Sequence, residues 1–422
     1  MKLKQKYDLI VVGAGAAGII AAITAARLND KVLLLEKLPQ IASKLKATGG
    51  GRCNLTNTLN NEEFMSKFGR NGRFMQDALK EFDYKTLINF FKEIGVDTHA
   101  PDGFRVFPTS HNSSTIISAL IDEMQRVGVE VLVSQRVEKL LVINNQISGI
   151  QTTNNIFNTK RVIVATGGLG YPTLGADGDG YKMAQELGHK VTQLYPAMMP
   201  LYTKEKWVKN CRADTIAKVE LKVDMKKQSK IKVYGDLIFT KNGIRGPVVL
   251  DAARDLTPLL EKYGEVPILL NFTKGMNEEQ ITKYLKELFS KAPHLTILEL
   301  VNTLLPLELS NEICKLAGVE AHLSYKKIAG EQRAKLINLL AWTPLTVIGH
   351  EGFKMAMITR GGVDLREINP KTMQSKIVDG LYFCGEILNL DGPCGGYNLQ
   401  WSFASGYLAG ASFSKNTFIE NI

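Results

Sequence analysis

Two glycine-rich loops of this sequence carry side chains that could act on a substrate. The first loop, ATGGGRCNLTN at residues 47–57, places Arg52 and Cys53 directly after three consecutive glycines. The second loop, GPCGGYN, contains Cys394 and, after two glycines, Tyr397. A guanidinium binds anions, whereas a thiol or a phenol can donate a proton to a reacting atom. Because the cysteines lack the CxxC spacing of a redox pair, each could equally be a small buried residue, and the tyrosine ring could serve only to pack.

Two of the six histidines also stand in predicted loops. His111 follows FPTS and His350 precedes EGF, and either imidazole could protonate a substrate carbon near neutral pH. A surface or structural histidine is the more frequent case, and that alternative stays open for both. Arg360, in ITRGG, is a second arginine that could bind an anion. The histidines and cysteines are too scattered for known metal-ligand spacings, so no metal site is predicted.

The composition indicates a globular protein with more than one domain. The chain has 422 residues, of which 45% are hydrophobic and 22% are charged, and this length predicts two or three domains. It contains no apolar run long enough to predict a transmembrane helix. The N-terminal MKLKQKYDLIVVGAG predicts a strand that enters a glycine turn, not a signal peptide.

The cysteine pattern bears on the cellular compartment. Five cysteines occur, at positions 53, 211, 314, 384 and 394, and they form no CxxC motif. An odd number without such spacing disfavours both a disulfide framework and a zinc ribbon. We therefore predict a protein of the reducing cytoplasm.

The net charge of +10 is distributed unevenly along the chain. Residues 201–250 contain twelve Lys and Arg against five Asp and Glu, which leaves +7 in that region. Its densest run, MKKQSK, contains Lys226, Lys227 and Lys230. Such a surface could attract phosphate groups or nucleic acid, or it could be an ordinary solvated face.

The best-defined structural unit lies at the start of the chain, in YDLIVVGAGAAGIIAAITAARLNDKVLLLEK. Residues 7–12 predict a strand, residues 16–28 a tightly packed helix and residues 31–35 a second strand that ends at Glu36. Gly13, Gly15 and Gly18 have the GxGxxG spacing between the first strand and the helix. This arrangement is typical of a dinucleotide-binding βαβ unit, in which the helix N-terminus faces a pyrophosphate and the acid binds a ribose.

Three further segments end or begin in small-residue turns. RVIVATGG ends at residue 168, LYFCGE ends at Gly385 and Glu386, and GGYNLQWSFASGYLAG opens a helix near Gly396. Together with the first turn and TGGGRCN, these loops fit one long ligand lying across the strand ends of a parallel sheet, and FAD has that shape. Its pyrophosphate would lie at residues 13–18, its ribityl chain at Glu386, and its isoalloxazine between residues 48–54 and 394–398.

The predicted last helix could have an electrostatic role. Its N-terminal amides would stabilise the negative charge that develops on the reduced flavin ring. Alternatively its small residues only pack on the sheet, and the two roles are compatible.

The coarse pattern along the chain predicts one domain interrupted by another. Residues 1–195 and 345–422 are predicted to form a discontinuous FAD-binding domain, and residues 196–344 an inserted domain. Within the insertion, residues 196–272 have strand-like runs and residues 273–344 have helical periodicity.

The sequence resembles one family of flavoproteins over essentially its whole length. The resemblance rests on the motifs SKLKATGGGRCNLTN, ATGGLGYPTLGADGDGYKMAQELGH, ITRGGVDLREINPKTMQSK and GEILNLDGPCGGYNLQWSFASGYLAG. These are similar to the BaiN/RdsA family of NAD(P)/FAD-dependent oxidoreductases. The resemblance implies an α/β fold: a glutathione-reductase-type, Rossmann-like FAD-binding domain with an inserted β-barrel-like part and a small helical part. Glu386 departs from the broader FAD class, in which aspartate is frequent at this position.

These patterns and the resemblance together predict the residues that contact a non-covalently bound FAD. The predicted contacts are Gly13, Gly15, Ala16, Ala17, Gly18, Glu36, Lys37, Thr48, Gly49, Gly50, Arg52, Cys53, Asn54, Val137, Ala165, Thr166, Gly167, Gly168, Gly385, Glu386, Gly395, Gly396, Tyr397 and Asn398.

We predict an FAD-dependent oxidoreductase that reduces a carbon–carbon double bond conjugated to a carbonyl, with hydride derived from NAD(P)H. The resemblance implies steroid-like enones, uridine in ribosomal RNA or small aminoketones as substrates. Only one GxGxxG motif has the full βαβ context, so NAD(P)H is expected as a transient donor. An amine or aminoketone oxidase that uses oxygen, and a flavin-binding scaffold without turnover, remain alternatives. The expected partners are a small molecule or ribosomal RNA, and no membrane.

Overall fold

The structure is a computed structural model that describes residues 3–4, 7–212 and 214–417 of the 422-residue chain. The chain separates into two compact units. The first unit contains the described residues up to Tyr195 and from Ile358 onward, and the second is Pro196–Met357.

The strands and helices are numbered here in chain order. The strands are β1 (Leu3–Lys4), β2 (Leu9–Val12), β3 (Val32–Leu35), β4 (Thr56–Asn57), β5 (Thr98–His99), β6 (Arg105–Pro108), β7 (Glu130–Leu132), β8 (Val137–Ile143), β9 (Gln146–Thr152), β10 (Ile156–Asn158), β11 (Val162–Val164), β12 (Tyr195–Ala197), β13 (Leu201–Thr203), β14 (Thr215–Val223), β15 (Lys232–Phe239), β16 (Gly243–Arg245), β17 (Val266–Asn271), β18 (Thr343–His350), β19 (Ile358–Arg360) and β20 (Leu381–Phe383). The α-helices are α1 (Ala16–Arg27), α2 (Ser43–Ala47), α3 (Asn61–Ser66), α4 (Gln76–Glu81), α5 (Tyr84–Glu93), α6 (Ser113–Arg126), α7 (Asp179–Glu186), α8 (Pro247–Tyr263), α9 (Glu278–Lys291), α10 (Ile297–Asn302), α11 (Leu307–Ala317), α12 (Gly330–Ala341) and α13 (Tyr397–Thr417).

A parallel sheet in the order β20-β11-β2-β3-β7 forms the centre of the first unit. The residues of β2, β3, β11 and β20 are buried along the whole length of each strand, as expected of parallel strands covered on both faces. Val12 pairs with Leu35 on one side and with Val164 on the other. The carboxyl ends of β20, β11, β2 and β3 therefore lie side by side along one edge of the sheet.

Helices α1 and α13 pack against each other at short range. A Cβ added to Gly406 would overlap the carbonyl oxygen of Ala17, and one added to Gly410 would overlap that of Ala21. Residues 17–26 of α1 are all buried. The small residues predicted for both helices are therefore required by their close approach.

Helix α13 is mostly apolar but carries several serines. The Ser402 and Ser405 hydroxyls donate to the Asn398 and Trp401 carbonyl oxygens of the same helix, at 2.9 and 2.7 Å.

Among the residues that the structure describes, no helix is both long enough and apolar enough to cross a membrane.

The first unit also contains two smaller sheets. β10, β9 and β8 form a meander, and β1 pairs in parallel with β10. β4, β6 and β5 form a three-stranded sheet in that order. The second sheet holds the residues that flank the TGGGRCN loop.

The second unit is a closed antiparallel barrel with helices. The barrel order is β13-β16-β15-β14-β17-β18, and the first and last strands pair with each other. Its interior is filled by fully buried residues such as Val219, Leu221, Ile268 and Leu270. Helices α9 and α10 each begin with a capping box, which satisfies backbone amides that a helix N-terminus leaves unpaired. The predicted barrel-like and helical parts are both confirmed.

The structure differs from the sequence expectation at two positions in the second unit. The return to the first domain was expected at residue 345, but residues 343–350 form β18, which closes the barrel by pairing with β17 and β13. The chain re-enters the first unit at Ile358 instead. In addition, residues 247–263 of the segment predicted to be strand-rich form helix α8, which starts with a proline at its first turn.

Candidate functional site

The sheet edge formed by β20, β11, β2 and β3 brings together loops that were predicted separately. Residues 13–18 follow β2, Glu36 follows β3, residues 165–168 follow β11, and residues 385–386 follow β20. A Cβ added to Gly13 would lie 2.7 Å from the Ala165 carbonyl oxygen. The loops after β2 and β11 are therefore in direct contact.

The three glycines of the first turn have different surroundings. Gly13 has a φ of +101°, which an L side chain rarely adopts. A Cβ added to Gly18 would overlap the Gly13 carbonyl oxygen. Gly15, by contrast, has a φ of −87°, and a Cβ added there would meet nothing within 4 Å. Gly13 is required by its backbone angle and by contact with the loop after β11, and Gly18 by contact with Gly13. Gly15, in contrast, faces open space into which a ligand could approach.

The N-terminus of α1 is available for an anion. Gly15 is its N-cap, no side chain caps the helix, and its first turn contains no acidic residue. Ala16 and Ala17 are the first residues of this helix. Unpaired amides and the positive end of the helix dipole favour a negatively charged group at such a position. The open space at Gly15 and the uncapped amides fit the pyrophosphate of FAD.

The Glu36 carboxylate joins the end of β3 to the glycine turn. Its Oε2 accepts a hydrogen bond from the Ala14 amide at 3.0 Å, and its Oε1 accepts one from the Leu38 amide at 2.9 Å. Each carboxylate oxygen can accept a further bond, so donation from a ribose remains compatible with this geometry. Buried Val137 begins β8 close by, because the Gln135 amide donates to the Glu36 carbonyl oxygen at 2.8 Å.

Lys37 follows Glu36, but its ammonium group is occupied by other protein groups. It pairs with Asp177 and, at 3.0 Å, with Asp179, and Arg136 pairs with the same two carboxylates at 2.8 and 2.7 Å. Burial acts to raise the pKa of Asp177, but the hydrogen bonds from Lys37 and Arg136 outweigh it and keep that pKa below its usual value. This network ties the start of α7 and the residues just before it to the end of β3. Lys37 therefore has a positioning role in the structure.

The loop after β11 contacts the loop after β20. Ala165 is buried, and Gly167 has a φ of +72°. A Cβ added to Gly168 would lie 2.7 Å from Glu386 Oε1. Thr166 Oγ1 is buried without a hydrogen-bond partner among the described residues. The small residues of ATGG allow this close contact.

The Glu386 carboxylate is held by two groups that sequence analysis did not identify. Lys44 Nζ donates to its Oε2 at 2.7 Å, and the Thr359 amide donates to its Oε1 at 2.9 Å. Gly385, with a φ of +79°, brings the chain so close to α1 that an added Cβ would lie 2.9 Å from Ala17 Cβ. Lys44 lies in the SKLKATGGG motif, and this position was the available signal. The contact of Glu386 with a ribityl chain stays a prediction.

The TGGG segment, Thr48–Gly51, forms a tight turn in which Gly49 and Gly50 lie outside the right-handed helical conformation. Gly49, Gly50 and Gly51 have φ values of +59°, +66° and +87°. A Cβ added to Gly50 or Gly51 would meet nothing within 4 Å. At these two positions glycine is therefore required by the backbone conformation and not by neighbouring atoms.

Arg52 leaves this turn toward solvent. Its Nε donates to the Gly49 carbonyl oxygen at 3.2 Å, and its guanidinium carbon lies 5.4 Å from the centroid of the Phe107 ring. The Phe107 ring itself is 4% exposed. Arg52 is thus an exposed cation held on a buried aromatic support.

The loop at residues 394–398 contacts both the loop at residues 48–54 and β4, the strand that follows it. The Asn57 side-chain amide donates to the Gly395 carbonyl oxygen at 2.9 Å. In the orientation that satisfies its amide group, Asn54 accepts a hydrogen bond from the Gly396 amide at 3.0 Å. Gly396, with a φ of +86°, is so close to β4 that an added Cβ would overlap the Thr56 carbonyl oxygen. Residues 338 positions apart therefore form one surface.

The structure favours a packing role for the first residues of α13. Tyr397 is 4% exposed, and its ring centroid lies 5.0 Å from that of Phe64 and 6.2 Å from that of Phe68. The Asn398 side chain accepts from the Gly392 amide at 2.8 Å and donates to the Gly392 carbonyl oxygen at 3.0 Å. These contacts stiffen the loop that carries Cys394.

The five cysteines form no disulfide, and four of them are buried. Burial raises the pKa of Cys53 to about 12, although a hydrogen bond with Thr48 acts in the opposite direction. A thiol with such a pKa holds no significant thiolate at neutral pH. Cys394 is only half-buried. Cys384 lies in the core, where burial raises its pKa further.

The histidine candidates fall in different units. His111 is exposed in the first unit, and its ring centroid lies 4.6 Å from that of His99. His350 is at the end of β18 in the second unit, where its Nδ1 accepts from the Gly352 amide at 2.9 Å and burial lowers its pKa. Arg360 ends β19. No group of three or more His, Cys, Asp or Glu side chains is arranged to hold a metal in the part of the chain that the structure describes.

Comparison with known proteins decides the family. The profile described as "HI0933-like protein Rossmann domain" matches residues 7–412 of this chain. The chain belongs to the HI0933-like family. The match runs through both units of this HI0933-like protein, and the predicted family is confirmed.

Relatives with assigned activities match over their whole length. The 3-dehydro-bile acid delta(4,6)-reductase of Clostridium scindens is 33% identical over 408 residues, which are 96% of this chain and 98% of the relative. The ribosomal RNA dihydrouridine synthase of Haemophilus influenzae is 29% identical over 420 residues, which are 98% of this chain and 100% of the relative. The HI0933-like chain is thus an FAD-dependent oxidoreductase, as predicted.

Solved structures support the fold assignment. A 3-ketosteroid delta1-dehydrogenase from Sterolibacterium denitrificans matches with a TM-score of 0.55 at 13% identity, over 98% of this chain and 100% of that chain. A 3-ketosteroid-delta4-(5alpha)-dehydrogenase from Rhodococcus jostii RHA1 matches with a TM-score of 0.53 at 15% identity, over 98% and 97%. At this identity the likeness shows the fold alone, and it confirms the Rossmann-like flavoprotein architecture.

Proposed function

We propose that this protein reduces a carbon–carbon double bond conjugated to a carbonyl group. The observation that carries the proposal is the full-length similarity to a bile acid delta(4,6)-reductase and to ribosomal RNA dihydrouridine synthases. The two activities share a chemistry, because a conjugated steroid enone and the uracil ring each contain such a bond. Formation of dihydrouridine requires the addition of two hydrogen atoms across the double bond, as does reduction of the steroid enone.

The proposed cofactor is non-covalent FAD, which supplies a hydride to the β carbon of the substrate when it is bound. The amides at the start of α1 and the space at Gly15 would hold its pyrophosphate, and Glu36 would accept from its ribose. Residues 48–54 and 394–398 would enclose its ring. Buried Cys53, with its raised pKa, is a poor candidate for a covalent linkage.

The residues of the chain itself would stabilise charge and exclude water. The Lys44–Glu386 pair, with side chains 25% and 17% exposed, links α2 to the loop after β20. It would fix the two loops between which the ring and the ribityl chain lie. The N-terminus of α13 would face negative charge, since its first turn contains no acidic residue.

We propose NAD(P)H as a transient electron donor. The second unit is an antiparallel barrel with helices, and it offers no second βαβ dinucleotide unit within the described residues. A donor would then have to reach the cofactor through the substrate side of the site.

The substrate is either a small molecule or ribosomal RNA. Lys226, Lys227 and Lys230 are exposed on the 3-10 turn Lys226–Gln228 and just after it, between β14 and β15, which supports contact with phosphate groups. Five cysteines that form no disulfide support a cytoplasmic location. Subcellular fractionation would test the location directly.

The decisive experiment is an anaerobic titration of the purified yellow protein with NADPH and with NADH. Loss of the flavin absorbance near its long-wavelength maximum, followed by its return on addition of an enone or of uridine-containing ribosomal RNA, is the expected result. Bleaching by an amine or aminoketone alone, with recovery in oxygen, would support an oxidase instead. A protein that no donor bleaches would be a scaffold, and the proposal would fall.

A further inference from the structure

A cluster of basic side chains lies next to the TGGG turn, with Arg52 and His111 exposed and His99 half-buried. β5 and β6 pair so that His99 is directly opposite Phe107. The His111 ring centroid lies 4.6 Å from that of His99 and 5.8 Å from that of Phe107. Arg52 covers the same Phe107 ring, with its guanidinium carbon 5.4 Å from the centroid. One buried aromatic ring thus organises an arginine and an imidazole, and a second imidazole is in contact with the first.

The backbone holds these side chains in place. The His111 amide donates to the Pro108 carbonyl oxygen at 2.9 Å, and His111 has a φ of +50°. A left-handed conformation costs a non-glycine residue roughly 1 kcal/mol or more. Arg52 is fixed by its Nε bond to Gly49 and by the aromatic ring. With the guanidinium placed on a ring, its terminal N–H groups remain for a bidentate acceptor.

The cluster has no internal counter-charge. None of the carboxylates in the described part of the chain forms an ion pair with Arg52, His99 or His111. The nearby Asp102 is used by Arg105, with an N···O distance of 2.7 Å. Three nitrogen-bearing groups that can all donate, and that no acid neutralises, favour an external oxyanion.

We propose that Arg52, His99 and His111 form a subsite that binds an oxyanion of the substrate, a carboxylate or a phosphate. The inference rests on the proposed function, because it takes the TGGG turn to be beside the reacting bond. The guanidinium would donate two hydrogen bonds to the oxyanion and each imidazole one. The subsite would orient the double bond and would select acidic over neutral substrates.

The main test compares two substrates that differ only in charge. The KM of a carboxylate-bearing enone is measured against that of its methyl ester, for the parent and for Arg52→Gln, His99→Gln and His111→Asn. Asparagine suits position 111 because it tolerates a positive φ. Any loss of affinity that is common to both substrates cancels in the ratio of the two KM values, so the ratio reports only the recognition of the carboxylate.

The expected result is a change of the KM ratio by about tenfold or more for Arg52→Gln, since a charge-assisted hydrogen bond to the carboxylate is lost. Each histidine variant should change the ratio about two- to tenfold. The double variant Asp102→Asn, Arg105→Gln is the matched control: it removes an ion pair on the same hairpin without leaving an unpaired charge, so the ratio should stay constant. Equal KM effects on acid and ester in all variants would overturn the proposal.

A second measurement does not depend on turnover. Titration with inorganic phosphate should shift the imidazole proton resonances of His99 and His111, while those of buried His189 stay unchanged. Uridine oligonucleotides with phosphodiester or methylphosphonate linkages then separate the two sources of the oxyanion. If the parent reduces neither an enone nor uridine in ribosomal RNA, the proposed function fails, but the phosphate titration still tests the subsite. If phosphate shifts the resonances of neither histidine, the proposed subsite is wrong.

Discussion

Two substitutions in the glycine turn after β2 should have different effects, one on the stability of the protein and the other on FAD binding. Gly18→Ala should destabilise the protein, because its Cβ would lie well under 3.0 Å from the Gly13 carbonyl oxygen and 3.2 Å from Ala165 Cβ. Gly15→Val should leave the FAD-free protein folded, because the space around an added Cβ is open and φ is −87°. It should nevertheless abolish or strongly weaken FAD binding.

The magnitudes follow from the surroundings of each position. Overpacking of a tight site costs about 1–3 kcal/mol, and a domain of 150–250 residues loses about 2–4 °C of melting temperature per kcal/mol. For Gly18→Ala we therefore expect a fall of roughly 2–12 °C. Gly15 is a helix N-cap, where replacement of a favoured residue costs about 0.5–2 kcal/mol. A hydrogen bond to a charged group contributes about 1.5–3 kcal/mol, so losing one such bond to the pyrophosphate weakens FAD binding by about 10- to 150-fold.

The assay uses FAD-free protein throughout. Thermal unfolding is followed by far-ultraviolet circular dichroism, and the Kd of FAD by the quenching of its fluorescence. Gly330→Val is a suitable control, because Gly330 is also at a helix start with open space around its Cβ. It should change neither quantity. If Gly15→Val binds FAD like the parent, the pyrophosphate does not lie at this turn, and the assignment of the site is wrong.

Three further predictions concern charge, a thiol and pH. Replacing Lys226, Lys227 and Lys230 together by glutamate should weaken RNA binding by more than about tenfold at low salt in a filter-binding series, because fewer counterions are released; unchanged affinity would indicate an ordinary solvated face. Cys53→Ala should keep FAD and turnover, since burial raises the thiol pKa to about 12; lost turnover with intact FAD would restore a thiol role. Glu123→Gln should destabilise the protein at neutral pH but not in acid. The hydrogen bond from Arg126 lowers the Glu123 pKa, so this stabilisation exists above the usual carboxyl range and disappears as the pH falls; melting curves that stay equally far apart in acid would contradict it.

The sequence predicts the βαβ unit closely because all its determinants are local. The predicted helix 16–28 is observed as α1, Ala16–Arg27, and the predicted strands as β2 and β3. An apolar run, a glycine spacing and an alanine-rich helix within about thirty residues leave little to tertiary context. The family could also be predicted from the sequence, because the motifs that identify it are long.

Pairings between distant residues are not accessible in this way. Lys44 and Glu386 are 342 positions apart, and a chain with many lysines and acids gives no means of choosing this pair from sequence. His99 has no sequence signal at all, since its role follows only from its register opposite Phe107. The end of the insertion was misplaced for a related reason: TPLTVIGH is a barrel strand only because β17 and β13 are present to pair with it.

Helix α8 shows how composition can mislead. Its sequence, PVVLDAARDLTPLLEKY, has two valines in the first turn and Pro258 in its interior, and both features argue against a helix. The burial of Val248, Val249, Leu256 and Leu260 on one side outweighs these preferences, as tertiary packing commonly does.

The two glycine motifs of the site exist for different physical reasons. At Gly15 the backbone angle suits any residue and only space is reserved. At Gly50 and Gly51 the space is open, and it is the left-handed backbone that excludes side chains. Consecutive L residues in that conformation would each cost roughly 1–2 kcal/mol, a large share of the 5–15 kcal/mol by which a typical protein is stable. The run therefore sets the direction in which the chain leaves the turn, and Arg52, the first residue after it, is directed onto Phe107 by that geometry.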